Sequence, residues 1–401
     1  MQNVKLNFSR LTQGDYSIDK VFQPADYDWP GDFEGRALLA FACHYEINGS
    51  VAPCMHPLVN ALKEKTNSKL YFGKEFDGVT VDEQQLSGHN WYLRGLIKYA
   101  EDFNSEFAMQ AAKSTVENLY LPALSWFSHY PLERAHYDGG VFGNCTEIIS
   151  GWKLSTDIGC AFMCFDGLAK YYQKTSDARV KSFLDTGIEL FKTIDLVKYK
   201  FQTHTSLTFL RGVLTLYQVT GDASYLDLVK EKFLFYVKNG MTLTYENFNW
   251  FGREDTWTEP CAVTDSLILS IELFKETGEE QYKTLARRIW FNGLQFCQRI
   301  NGGAGPNTCV TPSQPILSTS PRFYEAHLCC TMRYAEALLY FSKNEPLFTW
   351  NENGDATADE YGRRFIDDVL LVKVNGAVTP IFSCNTIERE QAEKLQLLVI
   401  F

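Results

Sequence analysis

Basic residues are in deficit in this chain: 38 Lys and Arg stand against 49 Asp and Glu in 401 residues, a formal net charge of -11. Nowhere do the Lys and Arg gather into a run, and a nucleic-acid or anionic-membrane surface needs such a basic footprint. Both partner classes are therefore excluded, and a neutral or cationic partner fits better. Long apolar runs are missing as well, since no stretch approaches the roughly 20 residues that span a bilayer. Met1 is followed by the polar Gln2-Asn3-Val4-Lys5, without the basic and apolar regions of a secretory signal. The cysteines, 11 in all and so an odd number, lack the dense spacing of a disulfide scaffold. These absences predict reduced thiols and a cytoplasmic protein, although a chain trimmed of a leader would read the same way.

Core-forming residues are abundant. With 45% hydrophobic and 14% aromatic content, the chain can bury a large interior, and its length allows two or three domains. Four segments, 95–112, 167–184, 212–228 and 271–290, repeat one pattern of amphipathic helix, polar turn and second helix. Thr220-Gly221-Asp222 and Thr277-Gly278-Glu279 mark two of the turns. Glycine there stops one helix, the acidic residue can cap the next, and apolar residues recur at helical spacing on both sides. Repeated helical hairpins build either an open solenoid or a closed toroid. The links at 129–143, 242–260 and 301–323 are long and rich in Trp, Tyr, His, Gly and Pro, which favours a toroid whose loops form a sugar-sized pocket.

The expected architecture is thus mainly α: an (α/α) barrel over 27–343, an N-terminal extension over 1–26 in which 4–11 could pair as a strand, and a β-rich segment over 344–401. Residues 367–378 and 395–401 are β-branched and alternating, as strands are. The chain ends inside an apolar run, which predicts a poorly protected edge. Either these strands pack on the barrel or they belong to a larger β domain.

Two clusters carry the chemistry. Glu259-Pro260-Cys261 and Cys329-Cys330 together supply one carboxylate and three thiolates, the donor set of a four-coordinate zinc site. Spacing alone leaves a second reading open, because free cysteines also serve as small buried hydrophobes. Cys43, Cys54, Cys145, Cys160, Cys164, Cys297, Cys309 and Cys384 have no paired spacing and read as structural.

The segment from Glu246-Asn247-Phe248 to Trp257-Thr258-Glu259-Pro260-Cys261-Ala262, with His327-Leu328-Cys329-Cys330-Thr331, resembles glycoside hydrolase family 127, the β-L-arabinofuranosidase group. The resemblance implies an (α/α)6 barrel followed by β-sandwich domains, zinc held by Glu259, Cys261, Cys329 and Cys330, and Cys329 as nucleophile. It also implies Glu246 as general acid/base, with Glu254 as rival because the loop to Glu259 is shorter than the family's. Trp29 to Arg36, His89 and His204 fall where family members place sugar contacts, the histidines with a small offset. His327 stands directly before the Cys-Cys pair. Trp250, Tyr324 and Asp157 suit a sugar's apolar face or hydroxyls, yet barrel aromatics are mostly core. The sequence departs from the family after Cys330, where Thr331-Met332-Arg333-Tyr334 runs into a helix, and the family fold spreads over a longer chain.

The resemblance implies a retaining glycoside hydrolase that removes a non-reducing-end sugar such as L-arabinofuranose, with a carbohydrate substrate, Zn2+ and room for a homodimer. Two other readings stand beside it. One is another (α/α)-barrel carbohydrate enzyme, an uronate hydrolase or sugar epimerase with structural zinc; the other is a glycan-binding toroid without turnover.

Overall fold

A computed structural model of the chain describes residues 2–22, 28–134, 145–320, 323–384 and 395–401. The expected barrel start at Tyr27, the 135–143 part of the loop at 129–143, residues 321–322 and the side chain of Cys145 lie outside the described residues. The chain divides into two compact units, Leu11–Leu234 and Met1–Arg10 with Phe235–Phe401.

All four expected hairpins form. Glu83–Phe103 precedes Glu106–Thr115, Cys164–Thr175 precedes Ala178–Lys192, Thr203–Thr220 precedes Ala223–Asn239, and Pro260–Thr277 precedes Glu280–Arg288. Each first helix ends on a left-handed residue: Asn104 at φ 52°, Ser176 at 54°, Gly221 at 72° and Gly278 at 70°. Side chains then cap three of the second helices, Ser105 accepting from the Ala108 amide at 3.2 Å, Asp177 from Arg179 at 2.9 Å and Asp222 from Ser224 at 2.9 Å. Such a turn satisfies the loose carbonyls of one helix and the loose amides of the next. A further pair, Asp32–Asn48 and Met55–Lys65, was not legible because Gly-Ser-Val-Ala-Pro-Cys stands in place of the Thr-Gly-Asp type of turn.

Within the Leu11–Leu234 unit, first helices are buried on every side. Asp32 to His44 and Thr203 to Leu216 are buried without a break, whereas Ala178–Lys192 buries one apolar stripe. The closest approach is between Asp32–Asn48 and Glu83–Phe103: a Cβ on Gly35 would stand 2.1 Å from the Tyr92 amide nitrogen and 2.3 Å from the Trp91 carbonyl carbon. Backbone cannot step aside as a side chain can. In an exposed helix interior alanine beats glycine by about 1 kcal/mol; here we expect Gly35→Ala to destabilise by about 1–3 kcal/mol or more through overpacking. Denaturant unfolding measures this, and a variant as stable as the parent contradicts the crossing.

The second unit corrects the N-terminal expectation, since Gln2–Leu11 is a helix, not a strand. Asn7 Nδ2 donates to the carbonyls of Gly302 at 3.1 Å and Thr331 at 3.0 Å, and Arg10 pairs with Glu325 at 2.9 Å. The C-terminal strands do form, in the order Ile316–Leu317, Leu397–Val399, Val369–Val374, Arg364–Ile366, Ala356–Ala358, with Ala377–Pro380 also on Val369–Val374. Asn375 at φ 48° and Gly376 at 89° close that last hairpin, as the Asn-Gly signal requires. The expected unprotected edge is corrected too: Leu397–Val399 lies between two partners, Val372 facing Val399 and Ile316 facing Leu398. The strands pack on this unit's helices, Asp368 pairing with Arg287 at 2.8 Å and Arg288 at 3.0 Å while Asn292 Oδ1 accepts from the Leu370 amide at 2.7 Å.

Candidate metal centre

Two helix N-termini of the second unit bring the four expected ligands together. Glu259 is the N-cap of Pro260–Thr277, with Pro260 at the first position, where its missing N–H costs nothing, and Cys261 at the second. Cys329 is the N-cap of Cys330–Lys343. Donor atoms of Glu259, Cys261, Cys329 and Cys330 all lie within 4.8 Å of one another. The Cys261–Cys330 sulfurs are 3.6 Å apart and those of Cys329 and Cys330 3.5 Å. A disulfide would need about 2.05 Å, whereas a zinc tetrahedron with bonds near 2.3 Å has edges of about 3.8 Å. The spacing and the soft donor set thus fit a thiolate-binding divalent ion such as zinc.

Electrostatics favour the same reading. Burial, reinforced by the Cys261 and Cys329 sulfurs, pushes the Cys330 thiol well above the usual thiol range. Three adjacent thiols do not ionise together unaided; a cation and two helix N-termini lower that barrier. Cys261 and Cys330 are buried, while Cys329 and Glu259 are half-buried, so Cys329 is the accessible sulfur. One turn along each helix, Asp265 and Arg333 form a buried ion pair, and Arg333 also pairs with Glu336. The two ligand-bearing helices are thereby joined directly behind the donors.

Glu246 is entirely buried. Its Oε1 accepts from Asn307 Nδ2 at 2.7 Å, Thr258 Oγ1 at 2.9 Å and Cys297 Sγ at 3.5 Å, and its Oε2 from Thr244 Oγ1 at 3.0 Å. Burial raises its pKa above the ordinary carboxyl value, the four donors opposing. This cage adjoins the ligands through the chain: Thr258 precedes Glu259, and Asn247 Oδ1 accepts from the Glu259 amide at 2.7 Å. Glu254 is exposed. Sequence reasoning gave no role to Thr244, Thr258, Arg299 and Asn307 and read Cys297 as structural only; of these, Thr258 alone stands in a motif, directly before Glu259.

The expected sugar contacts divide. His327 and Tyr324 are half-buried in the segment that leads to Cys329. Trp250 is buried, 3% exposed, and edge-on to Trp257 at 5.4 Å. In the other unit, His89 Nδ1 meets the Gln85 carbonyl at 2.7 Å and Nε2 accepts the Phe72 amide at 2.9 Å, so both ring nitrogens serve the backbone. In that unit His204 is buried and stacks on Trp91 at 5.8 Å, and Asp157 is half-buried, its amide donating to Ser155 Oγ at 3.1 Å. Among the described residues the other cysteines are free thiols, and no helix is long and apolar enough to cross a membrane.

No family model and no curated protein matches this chain. Solved structures do. A GH127 β-arabinofuranosidase is similar at a TM-score of 0.54 and 13% identity, over 93% of this chain and 59% of that one. A cellobiose 2-epimerase from Bacillus thermoamylovorans is similar at 0.51 and 13%, over 78% of this chain and 87% of that one. A GH76 α-mannanase of Bacteroides thetaiotaomicron is similar at 0.50 and 12%, over 84% and 95%. The fold is therefore the mainly α, (α/α)6-barrel class that these share, with sheets of three and six strands among the described residues. The chain spans 59% and 58% of the lengths of the first two solved structures it matches.

Proposed function

We propose that the protein is a retaining glycoside hydrolase acting on a furanoside such as an L-arabinofuranoside, with Cys329 as nucleophile and Glu246 as acid/base. The observation that carries this is the Glu259/Cys261/Cys329/Cys330 cluster, in a fold similar to that of a GH127 β-arabinofuranosidase. Glu259, Cys261 and Cys330 would hold zinc together with Cys329, and zinc bound there would keep the Cys329 sulfur deprotonated at neutral pH.

The residues then divide the work. Cys329 Sγ forms a bond to the anomeric carbon as the glycosidic C–O bond breaks, and Glu246 transfers its proton to the departing oxygen. In the second half, Glu246 takes a proton from water, the water oxygen bonds to the anomeric carbon, and the C–S bond breaks; two inversions give retention. Oε1 of Glu246 already receives three donors, so Oε2, with Thr244 alone, is the oxygen that carries the proton. A sugar epimerase is the second reading, favoured by the likeness to cellobiose 2-epimerase over 87% of that chain; it has no use for a thiolate nucleophile.

Metal analysis of the purified protein with a panel of nitrophenyl pentofuranosides, hexosides and uronides tests the reading. We expect close to one zinc per chain and release of nitrophenol from a furanoside with retention at the anomeric carbon. Zinc without any glycoside cleavage, alongside epimerisation of a disaccharide, supports the second reading instead.

A further inference from the structure

Among the described residues, no carboxylate is paired with the Arg299 guanidinium. The side chain is in the interior, 5% exposed, and Nε donates to the Tyr324 carbonyl at 2.7 Å, Nη1 to the Phe296 carbonyl at 3.2 Å, and Nη2 to the Pro306 carbonyl at 2.9 Å and Asn307 Oδ1 at 3.0 Å. All four acceptors are neutral. They orient the cation but do not balance it, and an unbalanced buried charge costs several kcal/mol.

One of these contacts runs to the ligand loop. Tyr324, whose carbonyl takes Nε, begins the short segment that leads to Cys329 and Cys330, and a Cβ on Gly305 would stand 2.0 Å from that carbonyl oxygen and 2.9 Å from Arg299 Nε. The Ala326 amide continues the contact by donating to Ala304 at 3.0 Å, and the Cys329 amide donates to Ala326 at 3.3 Å. With a divalent ion bound, three thiolates and one carboxylate leave the centre with two surplus negative charges. Burial lowers the pKa of the guanidinium, while the fields of Cys297, Tyr324, Glu246 and Cys330, in that order, favour its charged form.

We infer that Arg299 is the fixed counter-cation of the metal centre, a positioning residue whose charge stabilises the thiolate-rich shell while its donors pin the ligand loop between Tyr324 and Cys330. This rests on the reading of Glu259, Cys261, Cys329 and Cys330 as a metal site. Arg299 also reaches the acid/base through one amide: Asn307 accepts from the guanidinium and donates to Glu246.

The test compares Zn2+ affinity, by competition with a chromophoric chelator, in the parent protein, Arg299→Gln and Arg299→Lys, with denaturant unfolding of the metal-free proteins alongside. Partners placed behind metal ligands change affinity by about 10- to 100-fold; we expect such a loss in Arg299→Gln and, because the charge is kept, a loss within about threefold in Arg299→Lys. Equal affinity in Arg299→Gln and the parent overturns the inference, as does an equal loss in both variants, which makes Arg299 a structural tie. If Arg299→Gln does not fold, Arg299→Lys decides alone: near-parental affinity upholds the inference and a loss above about tenfold overturns it. A parent that binds no zinc is a failure of the metal reading, distinct from either outcome.

Discussion

We expect replacement of Cys329 by alanine to abolish the proposed furanoside cleavage, lowering kcat by on the order of 10⁴-fold or more, with the protein still folded and most of the proposed zinc retained. The size of the effect follows from the role: a nucleophile that forms the covalent intermediate has no substitute in the second half of the reaction. Retention of zinc follows from the geometry, because Glu259, Cys261 and Cys330 still face one another within 4.8 Å and three protein ligands with a water suffice for zinc. Folding is expected to survive because Cys329, like Glu259, is only half-buried, so the change opens no sealed cavity. Steady-state rates, elemental analysis and a thermal melt measure the three parts. A Cys329→Ala protein that binds zinc and cleaves at the parental rate removes the thiolate mechanism and leaves the cluster as a structural site. Cys261→Ala makes the contrast: it removes a fully buried ligand, so zinc content and thermal stability fall with activity, as expected where metal binding contributes to folding.

Much of the fold was legible because its signals are local. The Thr-Gly-Asp type of turn encodes a left-handed stop and a cap within three residues, and Gly221, Asp222 and Gly278 do in space what they announce in sequence. The cluster was legible because few roles call for three cysteines and a glutamate in two tight groups. What escaped depends on partners far along the chain. In the N-terminal segment Val4, Leu6 and Phe8 alternate like a strand, yet the helix buries Val4, Asn7 and Arg10; two of those are polar, and their contacts with Gly302, Thr331 and Glu325 lie 295 to 324 residues away along the chain. His89 looked like a ligand contact, since nothing local shows that Phe72 and Gln85 occupy its ring. Arg299 carries no motif at all. Its position is written in the carbonyls of Phe296, Pro306 and Tyr324, which converge only after folding.

Glu246→Gln separates an acid from a structural cage, because the substitution preserves the cage. A glutamine side-chain oxygen can take the place of Oε1 and keep the donors from Asn307, Thr258 and Cys297, while its amide nitrogen donates to Thr244 Oγ1, much as a protonated Oε2 would. The variant is therefore expected to fold. The pH sign follows from the raised pKa: between the ordinary carboxyl value of 4.5 and the higher folded value, the native state holds a proton that the unfolded chain has lost, so this group makes stability fall as pH rises through that window. Glu246→Gln removes that slope. In the proposed mechanism the same proton is the one donated, so the parental kcat/KM is expected to decline as pH rises through the raised folded pKa. Loss of an acid costs about 10²- to 10⁴-fold; we expect this for glycosides with poor leaving groups, with disappearance of the basic limb, and a much smaller loss for a dinitrophenyl glycoside, whose departing oxygen needs no proton. The rate-pH profiles of parent and variant on the two substrates decide it. An unchanged profile in Glu246→Gln, with the loss found in Glu254→Gln instead, assigns the acid to the exposed carboxyl and leaves Glu246 as the residue that holds Thr258 and Asn307 behind the metal ligands.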